Sequence, residues 1–208
     1  MKHWPLLLLA AASLATGCST TTIMHYDLQP ITDTVPSNQS KTLVKYQLAS
    51  IDVPESLDVE TLIVRQPNNS LMVLSHDKWV APLSQVIQNS LSVTLTQSLG
   101  TPPMPSTMLL ATESSASANS DKIFVDMQQF EMQPAKLASI GALWQIDFAG
   151  KPGQIITCYS VLSRPVTPGV AALVTAQQQN MQQLGQQIAN TLQTGTPPQE
   201  VKCQVQKT

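Results

Sequence analysis

Three thiols and two imidazoles carry most of the reactive chemistry beyond the first seventeen residues: Cys18, Cys158 and Cys203, with His25 and His76. Hydrolysis needs a nucleophile beside a base. The chain has no G-x-S-x-G elbow, and neither histidine belongs to H-E-x-x-H or another metal-ligand spacing. His25 reads as the solvent side of a strand. His76, in "SHDKW", reads as a polar approach to a helix. No P-loop or G-x-G-x-x-G is present to hold a nucleotide. The acids Asp52, Glu55, Asp58 and Glu60 flank "VPESLD" and read as a solvated loop, with a calcium site as the rival. No catalytic residue, metal site or bound cofactor is expected, and the chain does not read as an enzyme. A thiol is then a core residue, half of a disulfide, or a point of attachment.

Cys18 has the setting of an attachment point. Lys2 and His3 form a short basic head, followed by the apolar run "WPLLLLAAASLA" over 4–15. That run is too short for a spanning helix, which needs ~20 apolar residues. Basic head, apolar middle and small residues describe a secretory signal over 1–17. "LATGC" resembles the lipobox of bacterial lipoproteins, with Ala15 where leucine is usual and Leu14 one place earlier. The resemblance implies cleavage before Cys18, a diacylglyceryl group on its thiol and an N-acyl chain, the only added groups expected. It also implies that Ser19, standing where an aspartate would retain such a protein in the inner membrane, allows sorting to the outer membrane. The rival is a plain secreted protein with Cys18 an ordinary thiol.

Cys158 and Cys203 remain as an even pair in a compartment where disulfides persist. A bridge between them is the expectation, with two unrelated thiols the alternative. Only 12% of the 208 residues are charged, and losing Lys2 with the leader takes the net charge from −2 to −3. Without a basic patch, nucleic acid and charge-driven lipid binding are excluded as partners. Contact with a membrane has to come from the acyl anchor or from apolar surface.

One α/β domain is expected over 24–195, after an acylated linker at 18–23 and before a tail at 196–208. Strands are expected over 24–31, 42–54, 62–65, 71–75, 122–132, 137–149 and 153–166 from alternation, with "QPNNS" and "AGKPGQ" as turns. Helices are expected over 81–100 and 167–195. Pro82 opens the first and Gly100 closes it; Thr167 caps the second, Pro168 opens it and Gly195 closes it. The second helix presents Val170, Leu173, Val174, Met181, Leu184, Ile188 and Leu192 on its apolar face. Its Gln-rich face reads as solvated, with homo-oligomer contact as the other reading. Five residues separate Cys18 from the first strand, so the fold begins within ~20 Å of the bilayer at full extension.

"HYDLQP", "IDVPESLD", "DKWVAPLSQVIQNSL" and the final helix, in this order behind the lipobox, resemble the PqiC family of ABC-type transport auxiliary lipoproteins. The matching residues are Tyr26, Leu28 and Pro30; Val53, Pro54, Leu57 and Asp58; Trp79, Pro82, Leu83 and Ile87. The resemblance implies an α/β fold related to the N-terminal domain of TolB: a mixed, mostly antiparallel sheet covered by two main helices. It implies a non-enzymatic docking role at the outer membrane beside an MCE-type lipid transport system, with an MCE-domain tunnel protein as partner. A structural or assembly lipoprotein that helps an outer-membrane protein fold is the alternative. Trp79 reads as a staple at the helix start or as a lipid or partner contact.

Overall fold

The chain folds around one long antiparallel meander. In a computed structural model, which describes residues 22–30, 44–105, 120–151 and 153–206, β5 (Asp121–Gln133), β6 (Leu137–Asp147) and β7 (Ile155–Pro165) pair in sequence. β2 (Tyr46–Asp52) lies parallel to β5 on one edge, and β8 (Lys202–Gln206) lies antiparallel to β7 on the other. The strand order is β2-β5-β6-β7-β8. A second, three-stranded sheet has the order β1-β4-β3, from β1 (Met24–Tyr26), β3 (Thr61–Arg65) and β4 (Leu71–Trp79). It meets the second half of β5, past the register shift between Met127 and Gln129. There Arg65 pairs with Glu131, and the Trp79 ring meets Phe130 edge-on at 6.0 Å.

Helices α1 (Leu83–Leu99) and α2 (Val170–Thr194) pack against each other and cover one face of the five-stranded sheet. α1 begins behind Pro82, which has no side chain to cap it. Asp58 supplies the cap from a distance, accepting from the Ser84 N–H at 2.8 Å and the Ser84 hydroxyl at 3.0 Å. A carboxylate is well placed there, at the positive end of the helix dipole. The acids around "VPESLD" are therefore not all idle loop. Gly100 (φ 79°) and Gly195 (φ 68°) close the two helices, each returning its N–H to a carbonyl four residues back. α2 starts later than Thr167 and Pro168 suggest. Gly169, at φ 114°, occupies the N-cap and no side chain caps the turn.

Polar residues lock α2 to the sheet. Gln177 donates to the carbonyls of Glu131 and Ser139, and Asn180 to that of Ala138. Trp144 Nε1 donates to Ser160 Oγ at 2.8 Å, and Ser160 donates to Gln187 Oε1 at 2.7 Å. Gln183 accepts from Arg164, and Gln178 donates to the carbonyl of Asp27. Much of the side expected to be wet is therefore spent inside the fold, where a polar group must find a partner. That leaves Gln179, Gln186, Asn190 and Gln193 outermost.

Two further expectations change. β4 runs on through "SHDKW" to Trp79, because β1 lies parallel to it in the register Met24–Asp77, His25–Lys78 and Tyr26–Trp79. His76 is therefore an exposed strand residue, not the approach to a helix. β1 is short because the Asp27 carboxylate accepts from the N–H groups of Leu28 and Gln29 and turns the chain. Leu28 then enters the core, fully buried, and its carbonyl accepts from Ser90.

Candidate functional site

Among the described residues, those that could do chemistry do not converge. Cys18 and Ser19 lie outside the described residues. His25 and His76 are both exposed on the small sheet. No three of the described His, Cys, Asp and Glu residues stand close enough to share a metal ion. Among the described residues no helix is long and apolar enough to cross a membrane. Cys158 and Cys203 stand directly opposite in the β7–β8 register and are joined as a disulfide, with their Cα atoms 4.0 Å apart. The bond pins an edge strand that contributes little apolar burial of its own.

Trp79 requires a correction. It is 2% exposed, edge-on to Phe130, at the end of a strand. An indole sealed in this way belongs to the core between the two sheets and offers no surface to lipid or partner.

Two surfaces stand out for recognition among the described residues. The first is the face of the five-stranded sheet that the helices do not cover. Residues alternate across a sheet, so the burial of Trp144, Cys158 and Ser160 against the helices turns their neighbours outward. One outward row is Phe124, Gln145, Thr157 and Gln204; the next is Asp126, Leu143, Tyr159 and Lys202. Gly141 and Val161 follow, with Val161 61% exposed. A Cβ on Gly141 would stand 2.8 Å from the Tyr159 hydroxyl, so the tyrosine side chain lies across the glycine. The strip mixes aromatic, aliphatic and amide groups and carries a shallow hollow of about 120 Å³ between Ser50, Phe124 and Leu143. Such a mixture suits a protein surface better than a small ligand, which needs a deeper cleft.

The second surface is the outer edge of the small sheet. Leu71, Met72 and Val73 follow one another in β4 and are 56%, 43% and 57% exposed. Alternation should bury at least one of two neighbours, so three exposed in a row mean that this end of β4 is open on both faces. Met24 of the adjoining β1 and Ile23 just before it are half-exposed. Beyond Asp77, Lys78 and Trp79, β4 has no strand partner on this side among the described residues. Nearby, burial and the Asp77 carboxylate both hold the Tyr26 phenol above its ordinary range, and the hydroxyl donates to Asp77 at 3.0 Å. At the far end of the large sheet, burial raises the Asp121 carboxyl above its usual value, while the Ala149 N–H opposes the shift.

Residues 26–189 match the family described as ABC-type transport auxiliary lipoprotein component. The chain belongs to that family. No protein of curated function matches it in sequence. Its fold is similar to the crystal structure of an uncharacterized protein at a TM-score of 0.62 and 17% identity, over 82% of this chain and 99% of that one. A protein from Xanthomonas campestris shares the fold at a TM-score of 0.54 and 19% identity, over 84% and 96% of the two chains. The match ends inside α2, so β8 and its disulfide are additions to what the transport auxiliary lipoprotein family's profile covers.

Neither surface is picked out by the expected site residues. The open face is invisible in sequence because its alternation reads as any half-buried strand. The edge did leave a signal: "SLMVLS", four apolar residues running straight out of a turn, breaks the period of two.

Proposed function

We propose that this transport auxiliary lipoprotein is cut before Cys18, acylated there, and held on the periplasmic face of the outer membrane. In this reading it is a non-enzymatic docking component of an MCE-type lipid transport system. The carrying observation is the family match over 26–189 behind the lipobox at Cys18. Ser19, in place of an inner-membrane-retaining aspartate, supports outer-membrane sorting. The uncovered face of the large sheet, with Leu143, Tyr159 and Val161, supports a protein partner: it is broad and mixed in character. Several acyl chains together give stable anchoring where one alone does not.

Mild detergent extraction of the intact chain, followed by mass spectrometry of what co-purifies, tests the reading. The expected companion is an MCE-domain protein. Val161→Asp, on the exposed part of the open face, should release that companion while leaving the circular dichroism spectrum unchanged. Recovery of an outer-membrane β-barrel in its place would transfer the reading to an assembly lipoprotein. Cys18→Ser should leave the membrane fraction, and continued fractionation with membranes at unchanged mass would remove the anchor.

A further inference from the structure

The apolar edge of the small sheet lies where an anchor on Cys18 would hold the molecule to lipid. Thr22 is four residues from Cys18, so at ~3.6 Å per extended residue the anchored residue is within about 14 Å of Thr22. In the parallel register of β1 and β4, Met24 faces Asp77. Leu71 lies as far before Asp77 in sequence as Cys18 lies before Met24. Whichever way the tether runs, the bilayer surface is confined to the neighbourhood of Thr22. The Leu71 end of β4 is on that side, roughly 13 Å along the strand from the residue level with Thr22.

The chemistry of the edge fits lipid. No Asp, Glu, Lys or Arg occurs between Arg65 and Asp77, nor from Cys18 to Tyr26. Arg65 itself is held by Glu131. The turn at 66–70 has no charged residue of its own and is bonded from within and by Arg65: Gln66 N–H donates to the Ser70 carbonyl, the Asn68 carboxamide oxygen accepts from Ser70, and Arg65 Nη1 donates to the Asn69 carbonyl and carboxamide oxygens. A turn whose polar groups are bonded and whose one adjoining charge is paired, followed by exposed Leu71, Met72 and Val73, loses little on entering the interfacial layer and gains apolar burial.

We propose that the β3–β4 hairpin end, with Leu71, Met72 and Val73, rests in the lipid surface beside the acylated Cys18. This rests on the anchored reading above. It gives the molecule an orientation. The Arg65–Glu131 end of the large sheet faces the membrane. The β6–β7 turn, some 30 Å away along β5, points away from it, and the open face is left standing beside the bilayer for a partner.

The acylated full chain carrying Met72→Cys, or Gly150→Cys in the β6–β7 turn, tests this. Both sites are exposed, and a Cβ at Gly150 meets nothing. With Cys18 acylated and Cys158 joined to Cys203, the introduced thiol takes an environment-sensitive nitrobenzoxadiazole label. The probe is read on floated vesicles of phosphatidylethanolamine and phosphatidylglycerol with brominated acyl chains. The expected result is blue-shifted emission quenched by bromine at Met72→Cys, and aqueous, unquenched emission at Gly150→Cys. If the protein floats but the two labels behave alike, the lipid contact is overturned while the anchor stands, and the patch passes to a protein partner. If the protein does not float, the anchored reading has failed and this proposal falls with it. In the non-acylated Cys18→Ser chain, Leu71→Ser/Val73→Ser should weaken residual vesicle binding roughly tenfold or more. Unchanged binding in that pair counts against the contact.

Discussion

Gly185→Ala sets two effects of opposite sign against each other. Gly185 sits in the middle of α2, facing Thr94 of α1. A Cβ there would stand 2.6 Å from Thr94 Cγ2 and 2.9 Å from Thr94 Cβ, whereas carbon atoms rest at ~3.5–4.0 Å. A rotamer change moves Cγ2 aside but cannot move Thr94 Cβ, which is fixed to the backbone of α1. The helices therefore have to separate by something approaching an ångström, and both rest on the same buried sheet. Overpacking of this kind costs ~1–3 kcal/mol, and the immovable obstruction puts it at the upper end. Replacing a mid-helix glycine by alanine returns ~1 kcal/mol. The expected net is a loss of ~2 kcal/mol, or about 4–8 °C in Tm for a domain of this size. Urea and thermal unfolding of the Cys18→Ser mature chain, followed by far-UV circular dichroism, measures it. Thr94→Ala removes Cγ2 together with a buried hydroxyl that has no hydrogen-bond partner. In that background the cost of Gly185→Ala should shrink by ~1 kcal/mol, as expected of residues in contact. Equal or greater stability of the single variant, or strict additivity of the pair, would refute the helix–helix contact as the reason for the glycine.

Cys158→Ala/Cys203→Ala opens a loop spanning a separation of 45 residues, which on chain-entropy arguments costs up to ~4 kcal/mol. Non-reducing mass spectrometry of alkylated, periplasmically expressed protein should find neither thiol free, and two alkylated cysteines there would sink the bridge. Asp58→Ala strips α1 of the carboxylate that bonds Ser84. It should lower stability by ~1 kcal/mol in the same unfolding assay, and an unchanged midpoint would mean that water caps the helix equally well. Asp121 has its carboxyl raised by burial. The folded state therefore favours the protonated form, and its contribution to stability is complete below about pH 4 and fades as pH rises through the folded value. Asp121→Asn retains an acceptor for the Ala149 N–H. Its Tm should lie above that of the native chain near pH 7.5 and meet it near pH 3.5; the reverse order at pH 7.5 would contradict the burial argument.

Sequence alone carried the parts whose causes are local. Gly100 and Gly195 close their helices because a left-handed residue ends a helix wherever the helix packs. Leu83, Val86, Ile87, Leu91 and Leu95 declare a buried helical face by spacing. The meander of β5, β6 and β7 follows from alternation and short turns between strands that are neighbours in sequence. The family resemblance lay in ordered short motifs, and their order survives without knowledge of the fold.

Tertiary structure decided whatever depends on a partner distant in the chain. β4 extends through "SHDKW" because β1 pairs with it from fifty residues upstream, and nothing in those polar residues favours a strand by itself. Trp79 is core because Phe130 meets it there. Gln177 and Asn180 are buried because carbonyls on β5 and β6 accept from them, so polarity misstated their side of the helix. Asp58 caps a helix that begins more than twenty residues later. The split into two sheets, and with it the open face and the bare edge of β4, follows from which strands pair with which. Alternation says that a strand has two faces. Only the assembled layers say which face is left uncovered.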